Sequence, residues 1–302
     1  MGADLQEFVQ HVINGISLGS IYALIALGYT MVYGILQLIN FAHSEVYMVG
    51  AFASYYAARF FDTKPGFATL VILLFISMTV CSILGVLIER LAYRPLRKAP
   101  KLNILITAIG VSLFLQYSAQ IVFGADPKVF PTVLEDSTLV KWGEVELRSF
   151  DVAILGVGLV FMVGLHYLIH HTKIGKAMRA VSSNSTAASL MGIDINRIIS
   201  TTFIIGSSLA GVGSVLVGMK YPKIDPLMGM LIGLKAFVAA VLGGIGNIYG
   251  AVLGGILMGL SEEMVVGYLS STYRDAFAFG ILILILFFRP AGLLGKASQE
   301  KV

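Results

Sequence analysis

Residues 8–44 read FVQHVINGISLGSIYALIALGYTMVYGILQLINFAHS, and from Phe8 to Ser44 there is not one Asp, Glu, Lys or Arg. A helix crossing a hydrocarbon core of about 30 Å needs about 20 apolar residues. The stretch is too long for one perpendicular helix and short for two full crossings, so it predicts a span over residues 12–31 and a short or broken piece from Gly34 to Ala42. The rest of the chain has the same character. Of 302 residues, 57% are hydrophobic and 13% charged, with a mean hydropathy of +0.86, against about 25% charged in an ordinary soluble domain. A water-soluble fold cannot hide that much apolar surface, whereas a bilayer accepts it once the backbone is satisfied inside helices. The expectation is an all-α, polytopic transmembrane bundle forming a single domain over residues 1–302.

Further runs without charge predict spans over 46–60, 67–88, 103–123, 151–170 and 198–218, each bounded by charges or turn residues. From Leu227 to Ser261 the only charge is Lys235, and the glycine-rich centre predicts two helices meeting near Gly246 to Gly250. A last span begins near Tyr273 and runs through Ala276 to Phe288. This makes about nine crossings, within a range of about eight to ten that includes short or broken helices. Met1 to Gln10 carries Asp4 and Glu7 and no basic region, so the first apolar segment is expected to be retained, not cleaved as a signal. The single cysteine, Cys81, lies in an apolar run; it has no intrachain disulfide partner and is expected to fill packing space.

The loop from Glu89 to Lys101 holds Arg90, Arg94, Arg97, Lys98 and Lys101, and the one after His171 holds Lys173, Lys176, Arg179 and Arg197. Cytoplasmic loops carry the excess of Lys and Arg, which puts both on the cytoplasmic side. The segment from Gly124 to Phe150 carries Asp126, Glu135, Asp136, Glu144 and Glu146 against fewer cations and falls outside. Alternation then gives an external N-terminus and a cytoplasmic C-terminus bearing Arg289, Lys296 and Lys301; a re-entrant piece near Asn40 would reverse the N-terminal end. The net charge of +4 has the same origin and does not point to nucleic acid.

Residues 172–198, TKIGKAMRAVSSNSTAASLMGIDINRI, are long enough for one or two short amphipathic helices on the basic side. Such a segment lies on the membrane, where anionic lipid suits it, or docks into a partner. Its Ala187-Ala188-x-x-x-Gly192 resembles the coupling motif of ABC importer permeases, whose short cytoplasmic helix fits a groove on the ATPase subunit. Small residues permit close packing and the glycine permits the turn back to the membrane. Thr186 stands where that motif usually has Glu, and the downstream I-x-L-P is absent. Two further stretches add to it: NGISLGSIYALIALGYTMVYG at Asn14–Gly34 followed by LINFAHSEVYMVGA at Leu38–Ala51, and KAFVAAVLGGIGNIYGAVLGG at Lys235–Gly255. Taken in order across essentially the whole chain, these resemble LivH-type permeases of branched-chain amino acid ABC importers.

That resemblance implies half of a heterodimeric channel in a bacterial inner membrane, paired with a LivM-type permease, two cytoplasmic ATPases and an external solute-binding protein. It implies leucine, isoleucine or valine as substrate, alternating access as mechanism, and residues 172–197 as the coupling loop, with Ala187, Ala188, Gly192, Lys176 and Arg179 toward the ATPase. No cofactor is expected in this chain. There is no G-x-x-x-x-G-K-[ST], and Gly175-Lys176 and Gly295-Lys296 lack the upstream glycine and the following hydroxyl, so ATP and Mg are expected on the partner ATPases.

Asn40, His43 and Glu45 are polar groups in a region otherwise suited to lipid, where ionisable groups imply pairing, a wet cavity or function. Either Asn40 to Ser44 is a helix break with exposed ends available to a zwitterion, or it is a cytoplasmic turn with Glu45 capping the next helix from its first turn. Gly243, Gly244, Gly246, Gly250, Gly254 and Gly255 permit close helix packing or an unwound backbone facing a cavity. A break at Asn247 matching the one near Asn40 would make an inverted repeat with the path at its interface. The path candidates are therefore Asn40, His43, Glu45, Gly243, Gly244, Gly246 and Asn247. Lys235 is expected to snorkel or pair, and Glu262 and Glu263 to mark a helix end. A proton-coupled secondary transporter using His43 and Glu45, or an ABC permease for urea, short amides or other neutral amino acids, would share these features. An enzyme finds no foothold, since H-E-x-x-H and metal-ligand spacings are absent from the sequence.

Overall fold

The computed structural model describes residues 2–97, 99–143 and 145–295, with side chains from Asp4 onward. Helix α1 (Gly2–Leu36) is followed, after the non-helical residues 37–42, by α2 (His43–Phe60) and α3 (Phe67–Ile88), which runs through a π-helical turn at Glu89–Tyr93 into the short α4 (Arg94–Leu96). Helix α5 (Lys101–Phe123) leads to β1 (Lys128–Val129) and a hairpin of β2 (Thr138–Trp142) and β3 (Val145–Arg148). Then come α6 (Ser149–His171), α7 (Lys173–Ser183), α8 (Ser185–Leu190), α9 (Ile195–Lys220), β4 (Lys223–Ile224), α10 (Met228–Gly243), α11 (Ile248–Tyr268) and, after a 3-10 turn at Ser271–Tyr273, α12 (Arg274–Phe288).

Each expected span is occupied by a helix. Among the described residues, seven helical stretches are long and apolar enough to cross a membrane, and α10 is a shorter apolar helix. The main difference from the sequence reading is α1, which starts at Gly2 and continues to Leu36, so the expected broken piece narrows to residues 37–42.

Helix α1 is the axis of the bundle: 94% of its membrane-length window is buried, against 6% for α12. The reason lies in its small residues. A methyl group added to Gly15 would sit 2.9 Å from the Leu260 Cα and one on Gly19 2.7 Å from the Ile256 Cα, while Gly255 and Gly259 of α11 face Ala23 and Gly19. These small-x-x-x-small rows let the two backbones touch, which matters because lipid offers no hydrophobic drive for helix association and packing must supply it. Helix α9 approaches in the same way, Gly206 against Gly28 and Gly211 against the Ser77 backbone. Helices α3, α5, α6 and α12 instead expose Phe75, Phe114, Val160 and Phe287, side chains suited to lipid or to a membrane-embedded partner.

The loops sort to two ends. At one, the Glu146 amide donates to Gln10 Oε1 (2.8 Å), β1 pairs with β4, and the Gly66 amide donates to the Val133 carbonyl (2.8 Å); this is the hairpin end. At the other, Ser182 Oγ donates to the Gly34 carbonyl, Arg97 to Asn196 Oδ1 (2.6 Å), and the Leu294 amide to the Gly243 carbonyl (2.9 Å); this is the basic end. The start of α1 and the segment after α12 therefore lie at opposite ends, as the alternation of spans requires. Lys98, Glu144, Lys296 and Lys301 lie outside the described residues.

Candidate functional site

Two short helices begin inside the bundle. His43, the first residue of α2, packs on Gly28, eight residues before the end of α1 and so about 12 Å in from the basic end. Helix α10 has 16 residues, about 24 Å, less than the hydrocarbon thickness of about 30 Å. Their first turns meet: a Cβ at Gly229 would lie 2.6 Å from the Ser44 carbonyl oxygen and 2.9 Å from Glu45 Oε2, and one at Gly233 would strike the Ser44 side chain. One helix runs from this junction toward the hairpin end and the other toward the basic end.

Paired interruptions are thus present, but the second is at the start of α10, not at Asn247. Residues 244–247 form a tight turn between α10 and α11 at the basic end, with Gly244 at φ 106° and Gly246 at φ 92°, a region that favours glycine. Asn247 caps α11 through the Tyr249 and Gly250 amides (3.0 and 3.2 Å) and donates to the Leu294 carbonyl (2.8 Å), while Gly243 packs on the Gly250 backbone. The sequence shows the turn residues in this segment and not its depth, which the contact with residues 291–295 sets. Gly246 and Asn247 border a recess of about 540 Å³ at the basic end, together with Tyr33, Gln37 and Arg179.

Beside the α2–α10 junction, where α1 and α5 close in, is a cavity of about 160 Å³. Its walls are Tyr29, Phe41, Ile109, Leu113, Met230, Leu234 and Phe237, and its polar groups are Ser44, Glu45, Ser112 and Gln116. Glu45 is 1% exposed. Its Oε1 accepts from Ser112 Oγ (3.3 Å) and Ser44 Oγ (3.4 Å), and its Oε2 has no hydrogen-bond partner. The turn-and-cap alternative does not describe it, because the N-cap residue Ala42 has no side-chain bond and the Glu45 carboxylate turns to α5.

The structure separates Glu45 from the other two polar candidates. Asn40 Oδ1 accepts from the Tyr93 hydroxyl (2.8 Å), tying residues 37–42 to the π-helical turn. The His43 ring lies against Gly28 and edge-on to Tyr29, with centroids 4.6 Å apart. Ser112 and Gln116 were not singled out by the sequence. Their spacing of four puts them on one helix face, which is a usable signal only once α5 is known to turn that face to Glu45.

The remaining buried carboxylates are neutralised. Glu89 pairs with Arg97 and accepts from Ser200 (2.8 Å). Asp151 pairs with Lys220 (3.3 Å) and accepts from Ser17 (2.9 Å). Glu262 meets Lys235 (3.2 Å), Arg274 (3.3 Å) and the Tyr22 hydroxyl (3.0 Å), and Glu263 meets Arg274 (2.7 Å). Lys235 also reaches Asp275 (2.6 Å). Unpaired buried charge is strongly unfavourable, so these ties explain why charged residues are tolerated at membrane depth.

At the basic end, α7 buries Gly175, Met178 and Val181 along one face, and Ser182 binds the end of α1. Asn184 caps α8 through the Ala187 amide (2.9 Å), Ala188 is buried, and Leu190 and Met191 are exposed at 84% and 83%. Gly192, at φ 82°, makes the turn toward α9. Lys176 is exposed, and Arg179 donates to the Ile169 carbonyl, so that it closes the end of α6.

Residues 11–286 match the family described as branched-chain amino acid transport system / permease component. The chain is 43% identical to the high-affinity branched-chain amino acid transport system permease protein BraD of Pseudomonas aeruginosa, over 99% of both chains. It is 40% identical to the corresponding permease protein LivH of Escherichia coli K12, over the whole of both. A probable LivH permease of Methanocaldococcus jannaschii is 29% identical over 91% of this chain and 89% of its own. With its helical, multi-pass membrane architecture and relatives matching from end to end, this chain belongs to the branched-chain amino acid transport permease family.

Proposed function

We propose that this chain is the permease subunit of an ATP-driven importer for leucine, isoleucine and valine. The observation that carries the reading is the full-length relation to permeases named for that transport. In this reading the protein sits in a bacterial inner membrane with the basic end in the cytoplasm and the hairpin end outside. A second, homologous permease completes the channel, a solute-binding protein docks at the hairpin end, and two ATPases holding ATP and Mg dock at the basic end.

The geometry supplies a route for coupling. An ATPase pressing on the exposed Ala187, Leu190 and Met191 moves α8, and α7 carries that motion to α1 through Ser182 and Gly34. The glycine seam makes α1 and α11 move as one body, and residues 37–42, without helical structure, absorb the displacement where α1 hands over to α2. Rocking of this body relative to α2 and α10 would open the cavity alternately to the two sides.

Purification through a C-terminal tag in mild detergent is expected to recover a second permease and ATPase subunits, and the reconstituted complex with its binding protein to import leucine only with ATP. Excess valine or isoleucine should compete and urea or acetamide should not. Uptake by this chain alone, without ATP, would replace the reading with a secondary transporter. A Gly192→Trp complex should lose ATP-driven uptake; normal uptake would remove residues 172–197 from the coupling role.

A further inference from the structure

We propose that Glu45 is the intramembrane counter-charge for the ammonium group of the transported amino acid, whose aliphatic side chain rests on the cavity wall of Leu113, Leu234 and Phe237. The inference rests on the transport reading above and adds a residue and a chemistry to it. Among the described residues, Glu89, Asp151, Glu262 and Glu263 each have a cationic partner, and Glu45 is the buried carboxylate that has none. Its only described hydrogen-bond donors are two serine hydroxyls at 3.3 and 3.4 Å, and one oxygen has no partner.

A carboxyl group buried in this way is neutralised either by a proton or by a cation that arrives from elsewhere, and a cavity beside it gives such a cation room. The cavity fixes what that cation resembles. Its walls are mostly aliphatic and aromatic, which suits a branched hydrocarbon group and repels a hydrated metal ion. The first turns of α2 and α10 meet beside it, and their positive ends favour the substrate carboxylate. At about 160 Å³ the cavity is smaller than the usual ligand site of roughly 300–1,000 Å³, as expected of one subunit's share of a site completed by a second permease.

The test uses the assembled complex carrying Ile109→Cys, half-exposed on the cavity wall, with the buried Cys81 as background. Labelling of the new cysteine by a small thiol reagent is timed in the presence of leucine, 3-methylbutylamine, which lacks the carboxylate, or 4-methylpentanoate, which lacks the amine. Leucine and the amine should slow labelling and the acid should not. Glu45→Gln should raise the half-protecting leucine concentration at least about tenfold, with partial recovery in Glu45→Asp. Equal protection by the acid and the amine, or full protection in Glu45→Gln, would overturn the assignment. So would a folded Glu45→Gln chain that no longer retains the second permease, since Glu45 would then pair across the interface. If Glu45→Gln does not fold, the three probes on the Glu45 background decide alone. Leucine uptake is measured in parallel in the unsubstituted complex and in the cysteine variant: its absence from the first would sink the transport reading, whereas uptake by the second without protection would sink only the role of Glu45.

Discussion

Glu262 and Glu45 are each 1% exposed, but they are held in opposite ways. Glu262 is surrounded by Lys235, Arg274 and Tyr22, drawn from three other helices. Glu45 has two long bonds from serines and an oxygen with no partner. The first arrangement joins α1, α10, α11 and α12, and although Glu262 Oε1 also lacks a hydrogen bond, the Lys235 ammonium lies 3.2 Å from it. The second leaves its charge without a cation, in a cavity. Burial alone therefore does not identify a transport residue; the useful quantity is the charge that the fold leaves unpaired.

The largest effect is expected from Arg274→Ala, which removes one cation from Glu262 and the cation that pairs with Glu263. Breaking a buried pair from one side costs roughly 3–5 kcal/mol, read as a fall in the thermal midpoint of the detergent-solubilised protein. Adding Glu262→Gln should restore part of the loss, and no restoration would mean that pairing is not what holds this region. Next is Gly259→Leu, which drives a side chain into the Gly19 backbone. Overpacking of this kind costs about 1–3 kcal/mol or more, while Gly156→Leu, where nothing lies within 4 Å, should stay within about 0.5 kcal/mol. Equal effects would disprove the central role of the α1–α11 seam.

Glu45→Gln is expected to change stability by less than about 1 kcal/mol, or to raise it, because it removes an uncompensated charge. A loss as large as that of Arg274→Ala would erase the contrast between the two carboxylates. Gly192→Ala should lose about 1–2 kcal/mol from its left-handed φ alone, since the space around it is open. The smallest effect is at the hairpin. The hydrogen bond and charge of Lys141 hold the partly exposed Glu146 carboxyl below its ordinary value of 4.5. A lowered folded-state pKa gives stabilisation that is complete above the ordinary value and fades as pH falls through the lowered one. Hydrogen exchange in β2 and β3 should therefore rise only under strongly acidic conditions, and Glu146→Gln should remove that dependence.

Much of the helical layout was readable. The charge-free runs mark the spans because the bilayer excludes charge locally, whatever the neighbours. Turn chemistry marked a junction near Gly246 to Gly250, where the turn is residues 244–247, and the turn at Gly192, and basic loops grouped at one end. The depth of α2 was not readable, since nothing in the run from Phe8 to Ser44 shows that residues 37–42 fold back beside Gly28. Ser112 and Gln116 were silent for the same reason: a helix face has meaning only when its neighbour is known.

The sequence by itself determined a multi-pass helical membrane protein, the approximate place of each span and the basic end, and its resemblance pointed to the family. These follow from local composition and from residue patterns along the chain. Only the tertiary structure decided that α1 is the axis, that the second interruption lies at the start of α10, and that Glu262 is neutralised while Glu45 is not. Ion pairing and backbone contact depend on residues far apart in the chain, such as Tyr22 and Glu262, and that proximity exists only after the helices have packed.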